Sequence, residues 1–365
     1  MTLRVVRLVP VLDFGGVESR IVLQSRLTDR SLVDLRVCTF WKPGAAAEEI
    51  MGDGFSVDVL DVQPRDVGRA LWTLMRYLRE QRPDILHCSI SEANLLGLVA
   101  GALTGVPVRI AEEVGMPSHG TPARLLFRLL YKTASAIVGV TQAVCDYVLE
   151  VDNAPPESVK LIYNCAHPRF FPEDRKPVER TEAQRRTLFM AGRLMPVKNQ
   201  STVLKAFARV RETHPDAKLV IAGEGPLHED LEREIQALDI ADGARLLGYR
   251  EDVPALLAEA GAFVLSSHAE GCSISLIEAM ATGVPSLGSD VPGIVEVMGR
   301  PLANQWAVHA TDVDGWVRLF TRYLELGEEE RSDLARRAQD RAYAVFSPHR
   351  YVAQLQSLYE TLSTP

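Results

Sequence analysis

Short runs of β-branched and apolar residues recur along the chain, each followed by a stretch with helical spacing. The β-rich runs predict strands at Arg4–Val9, Leu35–Thr39, Val57–Leu60, Ile85–Cys88, Val108–Ala111, Ala136–Val140 and Val159–Ile162. Helical patterns fall between them, as at Val67–Glu80 and Glu92–Leu103. Residues 167–186 break the rhythm, being rich in proline and charge and poor in apolar side chains, which reads as a linker. The alternation then restarts at Thr187–Ala191, Leu219–Ala222, Arg245–Leu247, Ala262–Leu265 and Ser286–Gly288, and the stretch from His349 to Leu362 is helical. Strand–helix alternation of this kind predicts an α/β protein with parallel, doubly wound sheets. Two Rossmann-like domains facing a central cleft follow, over 1–166 and 187–345, with 346–365 as a terminal helix. No repeat with a period of 20 to 50 residues is present.

One segment concentrates chemistry. Residues 267–296 read SHAEGCSISLIEAMATGVPSLGSDVPGIVE. Glu270 opens a Gly271-Cys272-Ser273 turn after an apolar run, and Glu278 lies eight positions on, inside the amphipathic stretch Ile274–Ala281. A strand, a small-residue turn and a helix start form an anion-binding corner, because the first helical turn presents unpaired N–H groups and positive partial charge. Carboxylates near that corner suit a polyhydroxylated ligand, since they accept hydrogen bonds from hydroxyls. Phosphate in the corner with sugar at its lip describes a nucleotide-sugar site.

Other positions extend the set. Gly192-Arg193 and Lys198-Asn199 follow the first strand of the second domain, and two cations five apart across a strand end and helix start can converge on one anion. Gly15 and Gly16 follow the first strand of the chain, where paired glycines allow close backbone approach to a ligand, or simply make a tight turn. Asp252 is placed to cap the helix that begins at Val253. His87, at the end of the fourth strand, reads as a satisfied structural histidine. Residues 121–135 (TPARLLFRLLYKTAS) set Leu125, Leu126, Leu129 and Leu130 on one helical face and Arg124, Arg128 and Lys132 on another. That helix either packs on the core with a solvated face or lies on an anionic membrane, each cation then contributing about 1 kcal/mol.

Composition narrows the classes. The 365 residues are 47% hydrophobic and 24% charged, as in soluble globular proteins, and no apolar run is long enough to span a bilayer. A net charge of −8 and the absence of any recognition motif argue against nucleic-acid binding. Five scattered cysteines without C-x-x-C spacing suit reduced thiols in a cytoplasmic protein, and no cluster offers a metal site.

The 267–296 segment resembles the donor-binding signature of the retaining glycosyltransferases of family four, which have the GT-B fold. The matching residues are Glu270-Gly271, Glu278-Ala279-Met280-Ala281, Gly283-Val284-Pro285, Ser289-Asp290 and Glu296. The resemblance implies transfer of a sugar from a nucleoside diphosphate to a saccharide or lipid-linked acceptor, with retention and without a metal or other cofactor. It implies that Arg193 and Lys198 grip the donor diphosphate, that Glu270 holds sugar hydroxyls, and that Glu278 holds the ribose diol. The N–H groups of Gly271, Cys272 and Ser273 would face the departing charge, Tyr249 and Arg250 would line the nucleobase, and Gly15 and Gly16 would face the donor phosphates. It also implies a C-terminal helix that packs back on the N-terminal domain. Relatives place a histidine near the fifth strand's end; here stand Glu112 and Glu113, with His119 beyond, so Glu113 and His119 are the acceptor-side candidates. A lipid-linked acceptor would put a cytoplasmic enzyme at the inner face of the membrane. A nucleotide-sugar hydrolase or epimerase of the same fold, and a non-catalytic binding module, are the competing readings.

Overall fold

Both parallel sheets that the alternation predicts are present in the structure, a computed structural model that describes residues 2–13, 16–44, 46–115, 121–173, 175 and 180–364. Met1–Cys165 with Pro348–Pro365 form one compact unit, and Ala166–Ser347 the other.

In the first unit the strands are β1 (Leu3–Val9), β2 (Val33–Thr39), β3 (Ser56–Val59), β4 (Ile85–Ser89), β5 (Val108–Glu113), β6 (Ala136–Gly139) and β7 (Val159–Leu161). They pair in the order β3-β2-β1-β4-β5-β6-β7. Successive side chains of a strand point to opposite faces. Thus Val5 and Val9 enter one core, covered by helices Gly16–Leu27, Ala46–Gly52 and Pro348–Ser363, while Val6 and Leu8 enter the other. That second core is closed by helices Val67–Gln81 and Ser91–Thr104. Helix Val67–Gln81 starts where Asp66 Oδ1 accepts from the Arg69 N–H, and it buries Ala70, Leu74, Tyr77 and Leu78 on one stripe. Removing the Leu74 side chain should cost about 2–5 kcal/mol.

In the second unit the strands are β8 (Thr187–Ala191), β9 (Lys218–Ala222), β10 (Ala244–Leu246), β11 (Ala262–Leu265), β12 (Ser286–Ser289) and β13 (Ala307–Val308), paired β10-β9-β8-β11-β12-β13. Every strand expected from the pattern occurs within two residues of its expected limits. The pattern leaves out β13, a two-residue strand too short to show a period, and helices Val313–Leu324 and Glu328–Phe346. Among the described residues no helix is long and apolar enough to cross a membrane.

Each sheet has one place where the strand order turns back, between β1 and β4 in the first and between β8 and β11 in the second. Crevices outside the carboxyl ends of strands at such reversals are where doubly wound sheets bind ligands.

Candidate functional site at the carboxyl end of the second sheet

The loops that leave β8, β9 and β10 are stitched together. Gly192 N donates to Ala222 O (3.0 Å), Leu194 N to Glu224 O (2.8 Å) and Gly223 N to Gly248 O (2.8 Å). A Cβ on Gly223 would sit 1.9 Å from Gly192 O, so only glycine permits this approach. The stitching holds Arg193 outward; its side chain is exposed and, among the described residues, forms no ion pair.

Lys198 ends the short turn Pro196–Lys198, and Asn199 follows in the left-handed region (φ +54°), which asparagine tolerates. Asn199 Nδ2 donates to Ser266 O (3.1 Å) and Ala310 O (2.8 Å), and Ser266 Oγ donates to Lys198 O (2.8 Å). These bonds tie Lys198 to the end of β11. Its Nζ donates to Glu270 Oε1 at 2.6 Å, and the Ser267 hydroxyl donates to the same oxygen at 2.6 Å. The pair is largely but not wholly buried, at 21% exposure for Lys198 and 11% for Glu270, so a ligand has access to both.

Gly271 and Cys272 are half-buried and Ser273 is buried. Ser273 takes the capping position of helix Ile274–Ala281 without bonding a helix N–H, and its hydroxyl lies 3.3 Å from that of Ser275. The first-turn N–H groups are thus left without a side-chain cap. Gly293 presses on the loop from behind, where a Cβ would lie 2.2 Å from Glu270 O and 2.4 Å from Gly271 O. Glu278 sits half-buried in the helix, and burial pushes its carboxyl up to about 7, with Arg169 pulling the other way. Among the described residues it accepts no side-chain hydrogen bond.

Tyr249 is 62% exposed on the loop after β10. Arg250 beside it forks onto Asp252, Nε to Oδ1 at 2.7 Å and an Nη to Oδ2 at 2.5 Å. This corrects the expected cap. Asp252 occupies the capping position of helix Val253–Glu259, but its carboxylate is taken by the guanidinium. A bidentate charge-assisted pair is stronger than a single bond to an N–H.

Of the first-unit candidates, Gly15 and His119 lie outside the described residues. Gly16 opens helix Gly16–Leu27, its carbonyl accepting from Arg20 Nε (3.2 Å). Glu113 is an interior group, 3% exposed, accepting from Asn94 Nδ2 (2.8 Å) and the Tyr131 hydroxyl (2.6 Å). Burial pushes its carboxyl up to about 7. Next to it the chain buries a polar cluster that sequence reasoning missed. Glu112 accepts from Arg7 (3.0 Å), Arg20 (2.7 Å) and Ser89 (2.5 Å), and His87 Nδ1 lies 2.8 Å from the Tyr359 hydroxyl. Two cations and the Ser89 bond hold Glu112 well below the usual carboxylate range despite burial. His87 is pushed well below its ordinary value, first by burial and then by Arg7, as suits a structural histidine. Arg7 was the available signal: it stands between Val5 and Val9 at a core-facing register position, where a lone charge needs a buried partner.

The segment read as an amphipathic helix over 121–135 is helical over Thr121–Tyr131. Its leucine face is not the buried one. Leu130 is buried with Phe127 and Tyr131, while Leu125, Leu126 and Leu129 are exposed at 62%, 42% and 58%. The aromatic pair Phe127 and Tyr131 takes the inner stripe and turns three leucines outward.

Comparison with known proteins covers both units. A model described as glycosyl transferase 4-like domain matches residues 15–165, and one described as glycosyl transferases group 1 matches residues 172–341. The chain is 26% identical over 274 residues to an Escherichia coli UDP-Gal:alpha-D-GlcNAc-diphosphoundecaprenol alpha-1,3-galactosyltransferase, covering 70% of each chain. It is 25% identical over 290 residues to the N-acetyl-alpha-D-glucosaminyl L-malate synthase of Bacillus anthracis, covering 76% of this chain and 74% of that one. Its fold matches the Anabaena protein HepE, solved in complex with UDP, with a TM-score of 0.78 at 17% identity over 98% of this chain and 100% of that one.

Proposed function

This chain belongs to the glycosyl transferases group 1 family, with the GT-B fold, and from that premise we propose that it is a metal-independent, retaining enzyme acting from a nucleoside-diphosphate sugar. Transfer from a nucleotide sugar is the family's activity; the finer assignments rest on the geometry at the second sheet. One observation carries the proposal: exposed Arg193 and the accessible Lys198–Glu270 pair stand beside an uncapped helix start at the β8/β11 reversal.

The costly step is release of a diphosphate while positive charge develops on the sugar ring. Arg193, Lys198 and the N–H groups from Gly271 to Ser273 are preorganised donors for that departing charge, and the two cations stand in for a divalent ion. Lys198 leaves Glu270 for the phosphate when the donor binds, which frees Glu270 to accept from sugar hydroxyls. Glu278, which accepts no side-chain hydrogen bond among the described residues, accepts from the ribose diol. Tyr249 offers an exposed ring for the base. Retention follows from attack on the face the diphosphate leaves, with the leaving phosphate taking the acceptor's proton.

Uridine is the base to test first, since HepE was solved with UDP and the Escherichia coli relative is named for UDP-Gal. The acceptor is a saccharide or a lipid-linked one. The outward Leu125, Leu126 and Leu129, with exposed Arg128 and Lys132, support contact with an anionic bilayer at the cytoplasmic face.

The test has two steps. UDP, GDP and ADP are each titrated without divalent metal while melting is followed, and turnover of the responding donor class is then measured in Arg193→Ala. One nucleotide should raise the melting temperature, and the variant should lose about 10²–10³-fold in turnover with an unchanged circular dichroism spectrum. Indifference to all three nucleotides, or normal turnover in the variant, overturns the assignment.

A further inference from the structure

We propose that the second unit carries another ligand site at the opposite, amino end of its sheet, an arginine-lined cavity that takes a small multivalent oxyanion such as a diphosphate. The cavity measures about 170 Å³, where about 10–15 Å³ on the same measure holds one water. Its floor includes Gly261 and Pro285, the residues just before β11 and β12. Glu270 lies beyond the far end of β11, whose four residues span about 13 Å. The cavity is thus separate from the donor site.

Among the described residues five arginines line it, Arg175, Arg180, Arg185, Arg331 and Arg336, drawn from two segments that only the fold brings together. Arg180 and Arg185 lead into β8, whereas Arg331 and Arg336 belong to helix Glu328–Phe346. Within that helix the lining positions 328, 331, 332, 335, 336 and 339 recur at three- and four-residue steps, so one face of the helix is turned to the cavity. Among the described lining residues Glu328 is the one acid, and it is bound to Arg185 at 2.8 Å. Arg336 pairs with Asp333 and with Asp340 (3.5 Å), neither of which lines the cavity.

Arg331 is the decisive member. One Nη donates to Leu324 O (2.7 Å), and among the described residues no carboxylate pairs with it and its Nε is buried without a partner. Burial also lowers the pKa of Arg180 from the ordinary guanidinium value. Tyr323 adds a hydroxyl that burial raises to about 12, so it stays a neutral donor at physiological pH. Guanidinium forks converging on a small space match the geometry of phosphate and carboxylate oxygens, and a concave site shields the contact from water. Gln339, a lining residue, anchors the helix Glu328–Phe346 on the cavity side, its Nε2 donating to Ala281 O (3.1 Å) at the C-terminal end of the Glu278 helix.

Inorganic pyrophosphate is the probe, titrated calorimetrically into the full chain held saturated with UDP, and separately into Arg193→Ala. Both should bind one pyrophosphate, and Arg331→Ala and Arg336→Glu should each weaken that binding by about tenfold or more while UDP affinity stays as in the parent. Arg331 also supports Leu324, so the exposed Arg336 provides the variant less exposed to folding defects. Displacement of all pyrophosphate by UDP, unchanged affinity in Arg336→Glu, or no binding at about 10 mM overturns the proposal. The Arg193→Ala titration needs no donor binding, so the failure of this site and the failure of the donor assignment are separable.

Discussion

The two sheets turn back at equivalent places, between β1 and β4 and between β8 and β11, and each puts charge near that reversal in a different state. In the first sheet Arg7, Arg20, Glu112 and His87 are buried, and Glu112 is saturated by two guanidiniums and a serine hydroxyl. In the second, Glu270 has one lysine and one serine, while Arg193 and Glu278 have no ion pair among the described residues. A charge whose partners all come from the chain is part of the core, because removing any partner leaves an uncompensated buried ion. A charge held in place but short of partners keeps hydrogen-bonding capacity that the chain does not use. Topology alone does not separate the two; the partners do.

The strongest way to break the comparison is Glu112→Ala. It leaves two buried guanidiniums without their counter-ion and should cost about 3–5 kcal/mol in urea unfolding. A loss below about 1 kcal/mol would put the first cluster in the same class as the second.

Glu113 sharpens the contrast through pH. Its carboxyl is raised in the folded chain, so folding favours its protonated form, and the associated stability is present at low pH and lost as pH rises towards about 7. The stability difference between wild type and Glu113→Gln should therefore shift against wild type by up to about 1.4 kcal/mol per pH unit between about 5 and 7. Parallel pH profiles would mean that Glu113 is not desolvated.

Glu278 should titrate in the same range with a different consequence. As pH passes upward through about 7 it becomes a better acceptor, so UDP binding should tighten by about tenfold more in the parent than in Glu278→Gln, in which the ionisation of the UDP phosphate remains. Equal pH dependence in both proteins would remove Glu278 from the ribose. The smallest effect belongs to Ser267→Ala, which takes one of the two hydrogen bonds from Glu270 Oε1 and should slow turnover by about fivefold, near 1 kcal/mol, with melting unchanged.

Much of this was legible in the chain. The parallel α/β architecture and the strands, apart from β13, followed from local period, because a strand buried on both faces reads as a continuous apolar run. The family was legible as well, since Glu270, Glu278 and the residues around them recur in one short register. Other things were not. Helical spacing groups Leu125, Leu126 and Leu129 with Leu130 but cannot tell which of two apolar stripes the core will choose, and the core takes Phe127, Leu130 and Tyr131. Asp252 reads as a cap until the neighbouring Arg250 is seen to claim it.

By itself, then, the sequence determined the strand–helix order, the Gly271-Cys272-Ser273 turn, and the motif that marks a nucleotide-sugar enzyme. Only the tertiary structure decided which charges are satisfied. Arg7 and His87 are 80 residues apart, Lys198 and Glu270 are 72 apart, and Gln24 meets Tyr359 across 335. No local pattern encodes such pairings; they arise because buried polar groups must find partners wherever folding brings them.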